Sequence, residues 1–148
     1  LPDFYGAMPE ALNAGLPSDR LLVEWRLDTP HVLGRLATAE SSALFGPLVS
    51  AESLDAPSLL RMADDGTPER VSSGRLGEGG SRLRIEIPAS IQAIKGADPA
   101  HALAWRLATR AAFTEAIGHG YLVTDYRAPR FHRPDCGCYL LSEPVDQE

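Results

Sequence analysis

Cysteine, lysine and long apolar runs are almost missing from this sequence, and each shortage excludes a class of protein. The only cysteines are Cys136 and Cys138, which is too few for a disulfide framework. Lys95 is the only lysine, and with a net charge of -6 the chain lacks the clustered positive charge of a broad nucleic-acid-binding face. No apolar run approaches a membrane span, and no signal peptide is visible. We therefore expect a cytoplasmic protein that binds neither nucleic acid nor membrane.

What the sequence contains suits a folded domain. Its 148 residues are 44% hydrophobic and 23% charged, which is ordinary globular usage and enough to bury a core. Changes in pattern divide the chain into three parts, which are residues 1–27, residues 28–81 and residues 82–148.

Residues 1–27 have the pattern of a short helix followed by a strand. Pro9 suits a first helical turn, where its missing N–H is no loss, and Gly15 suits a helix end. From residue 21 to residue 27, Leu, Val, Trp and Leu occupy every second position, which predicts a strand with one apolar face.

Residues 28–81 are irregular because prolines and glycines interrupt them. Asp65-Gly66 lies between two short runs, residues 59–62 and residues 69–71, and predicts the turn of a hairpin. Residues 74–81 include four glycines, which is typical of an exposed flexible loop.

Residues 82–148 have the clearest pattern, which is strand, helix, strand, strand. Leu83, Ile85 and Ile87 alternate with Arg84 and Glu86, which predicts a strand with one apolar and one charged face, ended by Pro88. Two more strands are predicted over residues 121–126 and residues 138–141. The strand after the helix should be parallel to the first, and the last two strands should be antiparallel. The predicted class is α/β, with an α+β mixed sheet on which helices pack.

The helix of this third part should begin at Asp98, whose side chain can cap it, with Pro99 in the first helical position. It should end near Ile117, and a short helical turn over residues 90–95 should precede it. The residues expected to form its apolar stripe are Leu103, Leu107, Ala111 and Ile117, helped by Ala104 and Ala108.

Phe4-Tyr5-Gly6, followed after a gap by residues 18–27, resembles the end of a GNAT-superfamily acyltransferase domain. In that superfamily the penultimate strand commonly ends in two aromatics and a glycine. A more specific resemblance, to a bacterial group of predicted GNAT acetyltransferases with a C-terminal extension, rests on longer strings. They are Leu1-Pro2-Asp3-Phe4-Tyr5-Gly6, and Leu12-Asn13-Ala14-Gly15-Leu16-Pro17-Ser18-Asp19-Arg20 with Val23-Glu24-Trp25. The strings of that group that recur downstream are similar to Ile85-Glu86-Ile87-Pro88 and Ala104-Trp105-Arg106-Leu107-Ala108-Thr109-Arg110.

This resemblance implies a partial GNAT-like fold. Residues 1–27 would be the closing strands of one domain, residues 28–81 a linker with a hairpin, and residues 82–148 a β-α-β-β subdomain. That subdomain would be either a degenerate half-GNAT repeat or an ordinary unit of the same order. The N-terminal acyl-CoA-binding half would precede Leu1.

The resemblance also implies a reaction. The parent protein would transfer an acetyl or other acyl group from acetyl-CoA, or another acyl-CoA, to an amine or similar nucleophile on a small molecule or peptide. No metal is expected, and the segment alone should be inactive. The alternative is a non-catalytic interaction or dimerisation module, for example a homodimer that pairs its sheet edges.

The superfamily's cofactor-binding turn, Arg/Gln-x-x-Gly-x-Gly/Ala, does not occur in this sequence. Such a turn holds the pyrophosphate of acyl-CoA on backbone N–H groups that open a helix. Residues 75–80 come nearest, but Glu78 stands where the first glycine is needed, and its carboxylate would repel phosphate. The superfamily's general-acid tyrosine lies on the helix before the penultimate strand, which for the first domain would precede Leu1. If residues 82–148 are a second copy, the matching position is Phe113, which has no proton to give. The catalytic residues are therefore expected upstream of Leu1, and no cofactor-binding residue is predicted here.

Four residues are predicted on the substrate side of this reaction. Tyr5 would line the acceptor pocket at a strand end, or else be an edge aromatic that packs on the core. Glu24 shares a strand face with Arg26, and would act as a base or form a cross-strand charge pair. Arg106 and Arg110, four apart on one helix face, would clamp a carboxylate or phosphate, or cover apolar surface with their stems.

His132, Cys136 and Cys138 offer the nitrogen and sulfur ligands that zinc prefers. Cys-x-Cys in a strand directs both thiols to one face. Because no fourth ligand is evident, the sequence favours small buried thiols beside a turn, and we predict no metal site.

Overall fold

A computed structural model describes much of the chain, and its elements form one mixed sheet with two helices. The described residues are 1–7, 14–24, 27–28, 33, 56–71, 76, 82–129 and 132–143. The elements are β1 (Ser58–Met62), β2 (Pro68–Arg70), β3 (Arg82–Pro88), α1 (Ile91–Ala97), α2 (Pro99–Gly118), β4 (Leu122–Arg127) and β5 (Cys136–Ser142). The predicted mixed α and β architecture is confirmed. In these ranges, neither helix has the length and apolar character needed to cross a membrane.

The five strands are ordered β2-β1-β3-β5-β4. β1 is parallel to β3, and the other neighbouring pairs are antiparallel. The antiparallel relation predicted for the last two strands is confirmed. β3 and β4 have the same direction, as predicted, but they are not neighbours, because β5 returns from β4 and inserts between them.

The predicted hairpin at Asp65-Gly66 is confirmed. It joins β1 to β2, with Met62 opposite Pro68. Gly66 has a φ of +80°, a backbone conformation that residues with a Cβ rarely adopt. The Asp65 carboxylate accepts hydrogen bonds from the backbone N–H and the hydroxyl of Thr67, at 3.0 and 2.6 Å. Because β1 also pairs with β3, the sheet contains strands from both sides of the predicted boundary at residue 82.

The helix boundaries were predictable from capping residues. The Asp98 side chain accepts hydrogen bonds from the N–H groups of Ala100 and His101, and α2 begins at Pro99 as predicted. The Ser90 hydroxyl accepts a hydrogen bond from Ala93 N–H at 3.1 Å and caps α1, so the predicted helical turn is also confirmed.

The predicted apolar stripe of α2 is wrong. Leu103, Leu107 and Ile117 are 38%, 48% and 48% exposed. The buried residues of this helix are Ala102, Trp105, Ala112 and Ala116. The small alanines let the helix approach the sheet. Leu103 is two positions from the buried Trp105, about 200° around the helix, and therefore faces away from the core.

The core lies between the sheet and α2. Its buried residues are Leu59, Leu60, Met62, Leu83, Ile85, Trp105, Ala112, Ala116, Tyr121, Cys136 and Leu141. Trp105 is fully buried, and its Nε1–H donates a hydrogen bond to the carbonyl oxygen of Gly66 at 3.0 Å. This bond joins the middle of α2 to the β1–β2 hairpin.

The predicted strand over residues 21–27 does not form in residues 21–24, and this prediction is wrong there. Val23 and Leu27, two described residues of the predicted apolar face, are 79% and 64% exposed. Alternation produces a strand only where another backbone pairs with it, and the described N-terminal backbone pairing runs instead between residues 1–4 and residues 18–20. Trp25 and the predicted helix start at Pro9 lie outside the described residues, as does most of the glycine-rich loop.

Candidate functional site at the ends of β1 and β3

A cavity of about 460 Å³ lies at the carboxyl ends of the parallel strands β1 and β3. Its lining residues are Arg61, Met62, Ala63, Asp64, Glu69, Arg84, Glu86, His132 and Arg133. Open sheets commonly bind ligands beyond the carboxyl ends of parallel strands, because side chains and backbone groups of several elements converge there.

Glu86 is the central acidic group of this cavity. It is only 3% exposed, although acidic side chains are seldom fully buried. Its Oε2 accepts a hydrogen bond from the backbone N–H of Met62 at 2.9 Å, and its Oε1 lies 2.9 Å from Nε2 of His132. These partners compensate a carboxylate that would be unfavourable to bury alone.

The turn before β5 brings His132 and Arg133 to the cavity. The His132 N–H donates to the carbonyl oxygen of Pro129 at 3.1 Å, and the Cys136 N–H donates to that of Arg133 at 3.2 Å. The Arg133 guanidinium pairs with Asp135 at 2.9 Å and lies 3.9 Å from Glu86 Oε2. It also donates to the carbonyl oxygen of Met62 at 3.3 Å. The turn is therefore fixed to the ends of both β1 and β3.

Cys136 and Cys138 are both fully buried in β5. Burial raises the pKa of Cys136 to about 11, with a further contribution from the Glu86 charge. Burial also raises the pKa of Cys138 to about 12. Both thiols are therefore protonated at neutral pH in this structure, which disfavours either as a nucleophile.

Of the two thiols, Cys136 is the one grouped with Glu86 and His132. One ligand atom from each of these three residues can be chosen so that all lie within 4.8 Å of one another. The Cys138 thiol instead donates to the carbonyl oxygen of Tyr139 at 3.5 Å. Sequence reasoning grouped His132 with both cysteines and missed Glu86, which is 46 positions from His132.

Two of the residues predicted on the substrate side, Tyr5 and Arg110, both contact the N-terminal loop that contains Ser18 and Asp19. The Tyr5 N–H donates to the Ser18 hydroxyl at 3.0 Å, and Arg110 binds the next residue, Asp19, at 2.7 Å. The Tyr5 ring is 59% exposed and stacks under Arg20, whose guanidinium carbon is 4.9 Å from the ring centroid. That exposure does not fit the alternative in which Tyr5 packs on the core.

Of the two arginines predicted to form a clamp on α2, Arg110 binds carboxylates of the chain itself. Arg110 binds Asp19 and lies 3.2 Å from Asp3 Oδ2. The hydrogen bond from Arg110 lowers the pKa of Asp19, and the charges of Arg110 and Arg106 add to this effect. Glu24 lies in an exposed segment. In the described part of the chain, none of these four predicted residues lines the cavity.

Comparisons with family models, with curated proteins and with solved structures found no match to this chain.

Proposed function

We propose that this chain is the C-terminal part of a GNAT-type acyltransferase that works in the cytoplasm of a bacterium. The observation that carries the proposal is the order of β3, α2, β4 and β5, which is the strand, helix, strand, strand order expected from the resemblance. Gly120, with a φ of +88°, and the buried Tyr121 join the helix to β4.

The reaction would be direct attack of an amine or similar nucleophile on the thioester of acetyl-CoA or another acyl-CoA. Proximity and polarisation of the thioester carbonyl by backbone N–H groups supply most of the catalysis in such a reaction. The proposal requires a cofactor-binding half encoded upstream of Leu1, because the sequence of this chain lacks the phosphate-binding turn.

The contribution of this chain would be on the acceptor side, with Tyr5 as its main residue. The exposed Tyr5 ring can contact an acceptor, and the Arg110–Asp19 ion pair holds the loop that carries it. Arg110 would therefore be a positioning residue for the loop rather than a ligand of the substrate.

Release of CoA tests this function. The chain extended by its upstream coding sequence should release CoA from acetyl-CoA when acceptors are added, and the 148-residue chain alone should not. Tyr5→Ala should raise the KM for the acceptor while binding of acetyl-CoA is unchanged. Failure of the extended protein to bind any acyl-CoA would overturn the proposal.

The exposed apolar residues support a second candidate function, which is dimerisation or another protein interaction. Leu103, Leu107 and Ile117 form a partly exposed apolar stripe on α2. Within the described ranges, β4 is an edge strand, and its Leu122 is 56% exposed. Edges and apolar faces of this kind commonly pair with another chain.

Sedimentation velocity over a range of protein concentrations distinguishes the two functions. A homodimer should dissociate on dilution, and Leu107→Glu should weaken it. Ala93→Glu adds the same charge at an exposed position of α1, outside the stripe, and should leave the dimer unchanged. If the chain stays monomeric at every concentration and the extended protein binds acyl-CoA, the first function holds alone.

A further inference from the structure

We propose that Glu86, His132 and Cys136 form a binding site for a divalent transition metal ion, with zinc as the preferred ion. The chosen ligand atoms of the three residues all lie within 4.8 Å of one another. In a tetrahedral zinc site, ligand atoms about 2.0 to 2.3 Å from the metal stand about 3.3 to 3.7 Å apart. Small side-chain rotations would therefore bring these three onto one ion. This inference does not depend on the proposed acyl transfer.

The donor set favours zinc over calcium or magnesium. Imidazole nitrogen and thiolate sulfur are ligands of zinc and similar transition metals, whereas calcium and magnesium prefer oxygen alone. Glu86 supplies the only oxygen of the three, and a mixed set of nitrogen, sulfur and oxygen is compatible with zinc.

Burial gives these donors a reason to bind a cation. Cys136 is 0% exposed and Glu86 is 3% exposed. The Cys136 thiol is protonated in the metal-free protein, and a divalent ion that displaces its proton would neutralise both the resulting thiolate and the neighbouring Glu86 carboxylate. Binding at Nε2 would replace the His132–Glu86 hydrogen bond with two metal bonds. The Cys136 thiol proton would leave to solvent, and the proton on Nε2 of His132 would move to Nδ1 or leave to solvent.

The neighbouring groups already orient the ligands. The Met62 N–H holds Oε2 of Glu86 at 2.9 Å, which leaves Oε1 directed at His132. Such outer hydrogen bonds fix the ligands of metal sites. Arg133 carries a positive charge that opposes a cation here, and its guanidinium lies 3.9 Å from Glu86, but it also makes two hydrogen bonds to Asp135, at 3.2 and 2.9 Å. Arg84 is a second positive charge that lines the cavity.

The cavity gives the metal a fourth position. Glu86 and His132 both line it, and its volume of about 460 Å³ can hold water or a small molecule. Three protein ligands with one open position are the arrangement of catalytic zinc sites, whereas structural sites are closed by four protein ligands. The site would therefore bind a water molecule or a small anionic or carbonyl ligand through the metal.

Titration of the 148-residue chain with Co²⁺ after treatment with a chelator tests the site. Cobalt replaces zinc in such sites, and bonding to a thiolate gives an intense near-ultraviolet charge-transfer absorption. We expect this band to saturate at one Co²⁺ per chain, and Zn²⁺ to displace the cobalt. Cys136→Ser should abolish the band and weaken binding at least about tenfold.

Cys138→Ser is the matched control, because it removes the other buried thiol of the same strand. It should keep both the band and the affinity. His132→Gln and Glu86→Gln should shift the band and weaken binding, and zinc should raise the Tm of the unmodified chain and of Cys138→Ser more than that of Glu86→Gln.

Two results would overturn the site. One is an absence of saturable binding by the folded, unmodified chain, and the other is the same cobalt band in Cys136→Ser. If Cys136→Ser does not fold, Glu86→Gln and His132→Gln decide, since unchanged cobalt affinity in both would equally rule the site out.

Discussion

Arg110 on α2 binds the carboxylate of Asp19 in a bidentate manner, at 2.9 and 2.7 Å, across 91 positions of sequence. This contact connects the N-terminal loop to the helix that packs on the sheet. Through Ser18, the residue before Asp19, the same loop holds the backbone of Tyr5. The orientation of the exposed tyrosine is therefore coupled to a charge on a distant helix.

The Arg110–Asp19 contact should be lost in acid. The pKa of Asp19 is lowered from its ordinary value of 3.8, chiefly by the Arg110 hydrogen bond. The contact is therefore fully present above that ordinary value and disappears as pH falls through the lower folded-state value. The NMR signal of Arg110 Nε–H, protected by the ion pair, should broaden in that range. In Asp19→Asn it should be weakly protected at every pH, and a wild-type signal unchanged in strong acid would contradict the assignment.

Gly137→Ala should destabilise the sheet by about 2 kcal/mol. A Cβ at this position of β5 would lie 2.3 Å from the Tyr126 hydroxyl oxygen and 3.0 Å from the carbonyl oxygen of Arg127. Urea denaturation measures the loss. Combining the change with Tyr126→Ala should recover much of it, because the ring is the closest obstacle. Equal losses in both backgrounds would show that the ring does not cover this glycine.

Opposite faces of α2 should respond differently to substitution. Leu107→Ala should change the free energy of unfolding by at most about 0.5 kcal/mol, since Leu107 is 48% exposed. Ala112→Leu should lose about 2 kcal/mol, since Ala112 is fully buried and leaves no room for three more carbons. Thermal unfolding of the two variants checks the comparison. The reverse order would mean that the leucine stripe faces the core after all.

Trp105→Phe should lower the free energy of unfolding for two reasons. The smaller ring packs less well, and the lost hydrogen bond should cost about 1 kcal/mol more. The substitution removes the donor to the Gly66 carbonyl oxygen, which keeps a second partner in His101 Nε2 at 3.0 Å. Adding His101→Ala should therefore cost more in the Trp105→Phe background than alone. A double-mutant cycle by chemical denaturation measures this coupling, and strict additivity would argue against a shared carbonyl.

Neither thiol of the metal-free protein should react readily at neutral pH. The pKa values of about 11 for Cys136 and about 12 for Cys138 leave very little thiolate, and both side chains are buried. A disulfide reagent at pH 7.5 should modify both cysteines quickly in denaturant and slowly without it. Fast labelling of the native protein would show that β5 opens at the cysteines.

Parts of the fold were predictable because they depend on neighbours in sequence. The Asp65-Gly66 turn needs a positive φ at Gly66. The start of α2 needs Asp98 as its cap and Pro99 as its first helical residue. The alternating pattern of β3 depends equally on local spacing, since successive side chains of a strand point to opposite faces.

The sequence predicted less of the candidate site. It identified His132 and Cys136 as metal-type ligands, but it grouped them with Cys138 instead of Glu86. An acidic residue in an alternating strand suggests a solvated face, and only the approach of the 132–136 turn buries Glu86. Arg110 was predicted to bind an anion, and the structure shows that this anion is Asp19 of the same chain.

The sequence by itself determined the turn, the helix caps and the strand segments after residue 57, because each follows from the conformational limits of a few adjacent residues. The tertiary structure alone decided which face of α2 is buried, the insertion of β5 beside β3, and the meeting of Glu86 with His132. Such features depend on contacts between distant segments, and the free energy of packing selects among several arrangements that local patterns allow equally.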